Sequence, residues 1–72
     1  MTRTEIRLDT LNQVNKFVEA MGAINEDVWL ADDNGCRINA RSILGVLYSL
    51  EWNHIYCYCN SDINAKLMPW MI

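Results

Sequence analysis

Few side chains in this 72-residue sequence have both the type and the spacing for chemistry. His54 is the only histidine, and histidine is the side chain whose unperturbed pKa suits proton transfer near neutrality. No paired carboxylates, nucleophile–base pair or glycine-rich phosphate loop accompanies it, so it reads as a half-exposed strand residue and not as a catalytic group. Cys57-Tyr58-Cys59 places two thiols on one face of a strand, and Cys36 can approach them from a neighbouring strand. A structural zinc site needs four ligands in a closed tetrahedron. There is no Cys-x-x-Cys pair, and His54 falls on the opposite face from Cys57. The cysteines therefore read as small buried hydrophobes, with no metal and no cofactor expected. Ser42 sits where the apolar period changes from two residues to about 3.6, the place for a helix N-cap whose hydroxyl accepts from a free backbone N–H.

The elements that must position these residues can be read in order. Thr4 to Leu8 alternates, with Ile6 and Leu8 inward and Glu5 and Arg7 outward, which predicts a first strand. Leu11, Val14, Phe17, Val18 and Met21 form one helical face. Thr10 with Gln13 can close a capping box, and Gly22 is placed to end the helix as its C′ residue. Asp27 to Ala31 predicts the second strand, with Val28 and Leu30 on one face and Trp29 on the other. Asp32-Asp33-Asn34-Gly35 is a hairpin turn, because Asn-Gly tolerates positive φ. Cys36 to Ala40 is the third strand, with Cys36, Ile38 and Ala40 sharing a face. The helix after Ser42 puts Ile43, Val46, Leu47 and Leu50 on one face and ends near Glu51 or Trp52. His54 to Cys59 is the fourth strand, with Ile55, Cys57 and Cys59 on one face and His54, Tyr56 and Tyr58 on the other. Ser61 or Asp62 caps a last short helix, which Pro69 stops.

The order β-α-β-β-α-β-α predicts an α+β open-faced sandwich, a four-stranded antiparallel sheet with its helices on one face. Residues 1–72 make one small domain, of a size that buries only roughly 60% of its unfolded surface. The net charge is −3, and the six basic residues are scattered, which argues against direct nucleic-acid binding. No apolar run approaches a membrane span, and the N-terminus lacks the apolar stretch of a signal peptide. With an odd number of cysteines, three, the expected compartment is the reducing cytoplasm.

Ala40-Arg41-Ser42-Ile43-Leu44-Gly45-Val46 is similar to the regulatory-serine motif of the histidine-containing phosphocarrier (HPr) family of the bacterial sugar phosphotransferase system. Phe17-Val18-Glu19-Ala20 resembles that family's first helix, and the Asn34-Gly35 hairpin falls in the corresponding place. The resemblance covers nearly the whole chain and implies an HPr-like fold. It breaks at the phosphocarrier site, where the family has a histidine in a Gly-Leu-His-x-Arg-Pro phrase. Here the stretch is Leu8-Asp9-Thr10-Leu11-Asn12-Gln13, with Thr10 at the histidine position and Asn12 at the arginine position. A threonine phosphoester is too stable to serve as a carrier, so the resemblance points to a protein that has lost histidine phosphotransfer.

What carries over is Ser42, which in the family is phosphorylated by a dedicated serine kinase to make a partner for a transcription regulator. The branch that lacks the histidine and keeps the serine, the catabolite-repression HPr-like proteins, is the part of the family this chain resembles in logic. A phosphate on Ser42 would meet free helix N–H groups, and Arg41 beside it is a candidate phosphate contact. The plain alternative is a capping serine beside a solvated arginine. In an HPr-type sheet, strands two and four are neighbours, which would make Trp29, Tyr56 and Tyr58 adjacent on the open face. That face is either an interface, for a partner protein or for self-association, or a cross-strand cluster that stabilises the sheet. Two rivals to a regulatory module stand beside it: a working phosphocarrier, and a structural homo-oligomer built on the open face. The apolar tail Leu67 to Ile72 either folds back or joins an interface.

Overall fold

A computed structural model describes all residues from Met1 to Ile72. Its elements are β1 (Thr2–Ile6), α1 (Leu11–Gly22), β2 (Val28–Ala31), β3 (Arg37–Asn39), α2 (Ile43–Ser49), β4 (Ile55–Cys59) and α3 (Asn64–Leu67), followed by a 3₁₀ turn over Met68–Trp70. The strands form one antiparallel sheet in the order β1-β4-β2-β3. The α+β open-faced architecture is as expected.

The alternation of side chains decides which sheet face is covered. Ile6, Val28, Leu30, Ile55, Cys57 and Cys59 are all buried and belong to one hydrophobic cluster. Val14, Phe17 and Met21 from α1 and Val46 from α2 join it, each with no exposed surface. Trp70 closes it, its ring edge-on to Phe17 with centroids 5.2 Å apart. The apolar tail therefore folds back. Arg7 N–H donates to Trp70 C=O at 2.8 Å, and Ile6 and Met71 form an antiparallel bridge, so the tail runs along the outer edge of β1.

Several boundaries depart from expectation, each for a physical reason. β1 covers Thr2–Ile6 and not Thr4–Leu8, because its partner β4 begins at Ile55, opposite Ile6. Arg7 and Leu8 leave the ladder, although Leu8 stays buried. Leu11 is 59% exposed, since it opens α1 outside the core stripe of Val14, Phe17 and Met21. Gly22 is not a left-handed C′ residue. It is the last helical residue, Ala23 caps in the right-handed region, and only Gly35 has positive φ, at 87°. β3 covers Arg37–Asn39 and not Cys36–Ala40: Ala40 follows the strand, and Cys36 is exposed and precedes it. Its N–H donates to Asp32 Oδ1 at 2.8 Å, which keeps it in the turn. α2 ends at Ser49, and the N–H groups of Leu50, Glu51 and Trp52 reach back three residues to Leu47, Tyr48 and Ser49, tightening the last turn. Its buried face is Val46 and Ser49, with Leu47 and Leu50 half-buried, while Ile43 is 44% exposed. Ser49 is tolerated there because its hydroxyl donates to Val46 C=O at 2.6 Å. Neither Ser61 nor Asp62 is the N-cap of α3: Ile63 holds that position without a side-chain cap bond, and Asp62 Oδ1 accepts from Asn64 N–H at 3.0 Å in the turn before it.

Candidate functional site

Thr10 and Ser42 stand at the two helix starts, and both work as N-caps. Thr10 Oγ1 accepts from Gln13 N–H at 3.2 Å, while Gln13 Oε1 accepts from the N–H groups of Asp9 (2.6 Å) and Thr10 (3.2 Å). This is a closed capping box. The connection from β1 is only Arg7 to Thr10, and the hydroxyl of Thr10 is engaged by the Gln13 N–H.

Ser42 Oγ accepts from Gly45 N–H at 3.2 Å, with no return bond. Asn39 shapes the approach: its Oδ1 accepts from Arg41 N–H at 2.9 Å and its carbonyl accepts from Ser42 N–H at 3.0 Å. Gly45 faces Ile38 of β3, where a Cβ would sit 3.4 Å from Ile38 Cβ, an ordinary packing contact. Ser42 is exposed, and beyond it Leu44 (77% exposed) and Tyr48 (56%) extend the open surface that Ile43 begins.

Arg41 is not a free phosphate contact. Its Nε donates to Met21 C=O at 3.4 Å, and its Nη2 donates to the carbonyls of Ile24 and Glu26. α1 has no basic residue in its last turn and no glycine cap. Arg41 supplies both the donors and the positive charge that a helix C-terminus lacks.

His54 precedes β4 and is not isolated. Its Nδ1 lies 2.9 Å from Glu5 Oε2, its Nε2 lies 4.0 Å from Asp33 Oδ2, and its ring stacks on Tyr56 at 6.2 Å. Hydrogen bonding to Glu5 and the charge of Asp33 raise its pKa. A hollow of about 420 Å³ is lined by Glu5, Arg7, Asp9, Trp52, Asn53 and His54 among others. Tyr56 also has a raised pKa, from hydrogen bonding to Asp33 followed by burial.

Trp29 and Tyr58 are register partners on the open face, and Tyr56 stands opposite Ala31, the adjacency expected of strands two and four. All three rings are half-buried. Arg3 lies over Tyr56 at 4.6 Å and Arg37 over Trp29 at 4.8 Å, so cation–π contacts cover ring surface that the sequence left open. Cys57 and Cys59 are buried as expected, and Cys36 does not join them. Burial pushes the Cys57 thiol up to about 12, which keeps it protonated and unreactive. No group of three or more His, Cys, Asp or Glu side chains converges as a metal cage, and no helix is long and apolar enough to cross a membrane.

No protein-family model matches the sequence, and no curated protein does. Among solved structures, the chain is similar to the crystal structure of HPr-C-His from Thermoanaerobacter tengcongensis, with a TM-score of 0.73 and 21% identity over 96% of this chain and 89% of that one. With the sheet order, the helices on one face and the serine-capped second helix already in place, this likeness establishes that the chain has the HPr-like open-faced fold.

Proposed function

We propose that this protein is a non-enzymatic binding or regulatory module on the HPr-like fold, that it has lost histidine phosphotransfer, and that Ser42 is its phosphorylation switch. The observation that carries this reading is the contrast between the two helix starts. At α1, Thr10 is locked in a capping box. At α2, Ser42 is exposed next to the uncovered side chains of Ile43, Leu44 and Tyr48. A phosphate at Ser42 would replace the hydroxyl as acceptor for the first-turn N–H groups and add charge at the rim of that apolar surface. The partner in this reading is a cytoplasmic protein, first a serine kinase and then a regulator that distinguishes the two forms.

Intact mass after incubation with an HPr serine kinase and ATP tests the switch. One added phosphate on the parent chain and none on Ser42→Ala is the expected result. Absence of phosphate on both would leave Ser42 as a cap alone. The phosphocarrier rival has one observation in its favour, the shared hollow that brings His54 beside the connection to α1. Incubation with enzyme I and phosphoenolpyruvate separates it. Acid-labile phosphate on the parent chain, lost in His54→Ala, would establish the carrier reading; none is expected, because Glu5 and Asp33 hold carboxylates against both ring nitrogens.

A further inference from the structure

His54 links three elements at one end of the open sheet face. Glu5 reaches it from β1, Asp33 from the turn between β2 and β3, and Tyr56 supports its ring from β4. We propose that His54 is a pH-operated latch, which when protonated ties the β2–β3 turn to β1 through Asp33 and Glu5, and which on losing its proton releases the Asp33 arm.

The asymmetry of the two contacts makes the device work. An ionised carboxylate only accepts hydrogen bonds, so Glu5 at 2.9 Å selects the neutral tautomer that carries its proton on Nδ1. The lone pair of Nε2 then faces the Asp33 carboxylate, at 4.0 Å, and the two repel. Protonation turns Nε2 into a donor, and the same pair attracts. The Glu5 arm thus persists in both states, and the Asp33 arm exists in one. The other groups that face this cluster are Tyr56, whose pKa the neighbouring Asp33 raises, and Arg3, whose guanidinium lies over the Tyr56 ring. Arg7 and Asp9 share the adjoining hollow. Within the turn, the Asp32 side chain accepts from the N–H groups of Asn34 (2.9 Å) and Cys36 (2.8 Å), so the turn keeps its shape when the latch opens and changes its attachment to the sheet.

The direction follows from linkage. Glu5 and Asp33 raise the His54 pKa above the ordinary 6.5. The tie is therefore complete below the unfolded value and is lost as pH rises through the folded one.

His54 is the only histidine, so its ring resonances are unambiguous in the full chain. We would follow them with the Asn34, Gly35 and Cys36 amides between about pH 5 and 8. The turn amides should shift with the midpoint of the ring, and their protection against hydrogen exchange, corrected for intrinsic rate, should fall about two- to fivefold on deprotonation, as for an exposed ion pair. Asp33→Asn, at an exposed position, should lower the ring midpoint and abolish the response of the turn. Turn amides that ignore the titration of the ring would overturn the proposal, as would a midpoint unmoved by Asp33→Asn.

Discussion

The two helix starts use the same bond and lead to different surfaces. Each presents a hydroxyl to the N–H three residues on, at 3.2 Å. At α1 the bond is answered by Gln13, and the helix then sinks Val14, Phe17 and Met21 fully into the core. At α2 position three is glycine, no bond returns, and only Val46 among its apolar residues is fully buried. A cap is therefore not a function. In the proposed reading, Ser42 is set apart by the uncovered apolar surface around it, and Thr10 by a first turn closed by its own capping box. The largest expected effect tests that contrast. Phe17→Ala should cost about 3–5 kcal/mol, the range for truncating a buried aromatic ring, read as a lowered denaturant midpoint. A much smaller loss would mean that α1 is no better anchored than α2.

Arg41 sharpens the comparison from the other side, because it precedes Ser42 in sequence and serves α1 in space. Arg41→Ala removes donors from the carbonyls of Met21, Ile24 and Glu26. The expected loss is about 1–3 kcal/mol, since the bonds are charge-assisted but partly wet. Amide exchange should quicken first at the C-terminal turn of α1. If exchange quickened only in α2, the arginine would belong to the serine site after all.

The fold was legible because its signals are periodic. Ile55, Cys57 and Cys59 alternate, Val14, Phe17 and Met21 recur at helical spacing, and Asn34-Gly35 marks the turn, with Gly35 at φ 87°. The capping box was legible because both partners lie within four residues. The roles of Arg41 and His54 were not, because their partners are distant in the chain: Arg41 reaches back 15 to 20 residues, and His54 meets Glu5 across 49. Arg3 and Arg37 over the aromatic rings were hidden for a similar reason, since only the register of the sheet sets them beside Tyr56 and Trp29. The apolar moment of α2 misplaced Ile43, because a seven-residue helix packed through Val46 and Ser49 turns that side chain outward.

The caps themselves give a smaller effect. Thr10→Ala and Ser42→Ala should each cost about 1 kcal/mol, with Thr10→Ala at the higher end because it also disrupts the reciprocal Gln13 bond. Ser42→Asp should restore most of the loss at α2, because a carboxylate accepts the same N–H and suits the helix dipole. Urea unfolding of the variants in one buffer would order them. Equal losses at both caps would remove the distinction between a closed and an open helix start.

The smallest effect on stability belongs to the exposed apolar surface beside Ser42. Leu44 is 77% exposed, so Leu44→Ala should change stability by no more than about 0.5 kcal/mol, in contrast to Phe17→Ala on the other helix. Leucine there buries little apolar surface, so little is lost on truncation, and the slightly better helix propensity of alanine offsets that small loss. The same substitution should weaken capture by the serine kinase, read as a slower rate of Ser42 phosphorylation at low protein concentration with the rate at saturation preserved. A clear loss of stability in Leu44→Ala would show that this side chain packs against the rest of the chain in solution. The surface around Ser42 would then be covered, and the difference between the two helix starts would shrink to the reciprocal bond of Gln13.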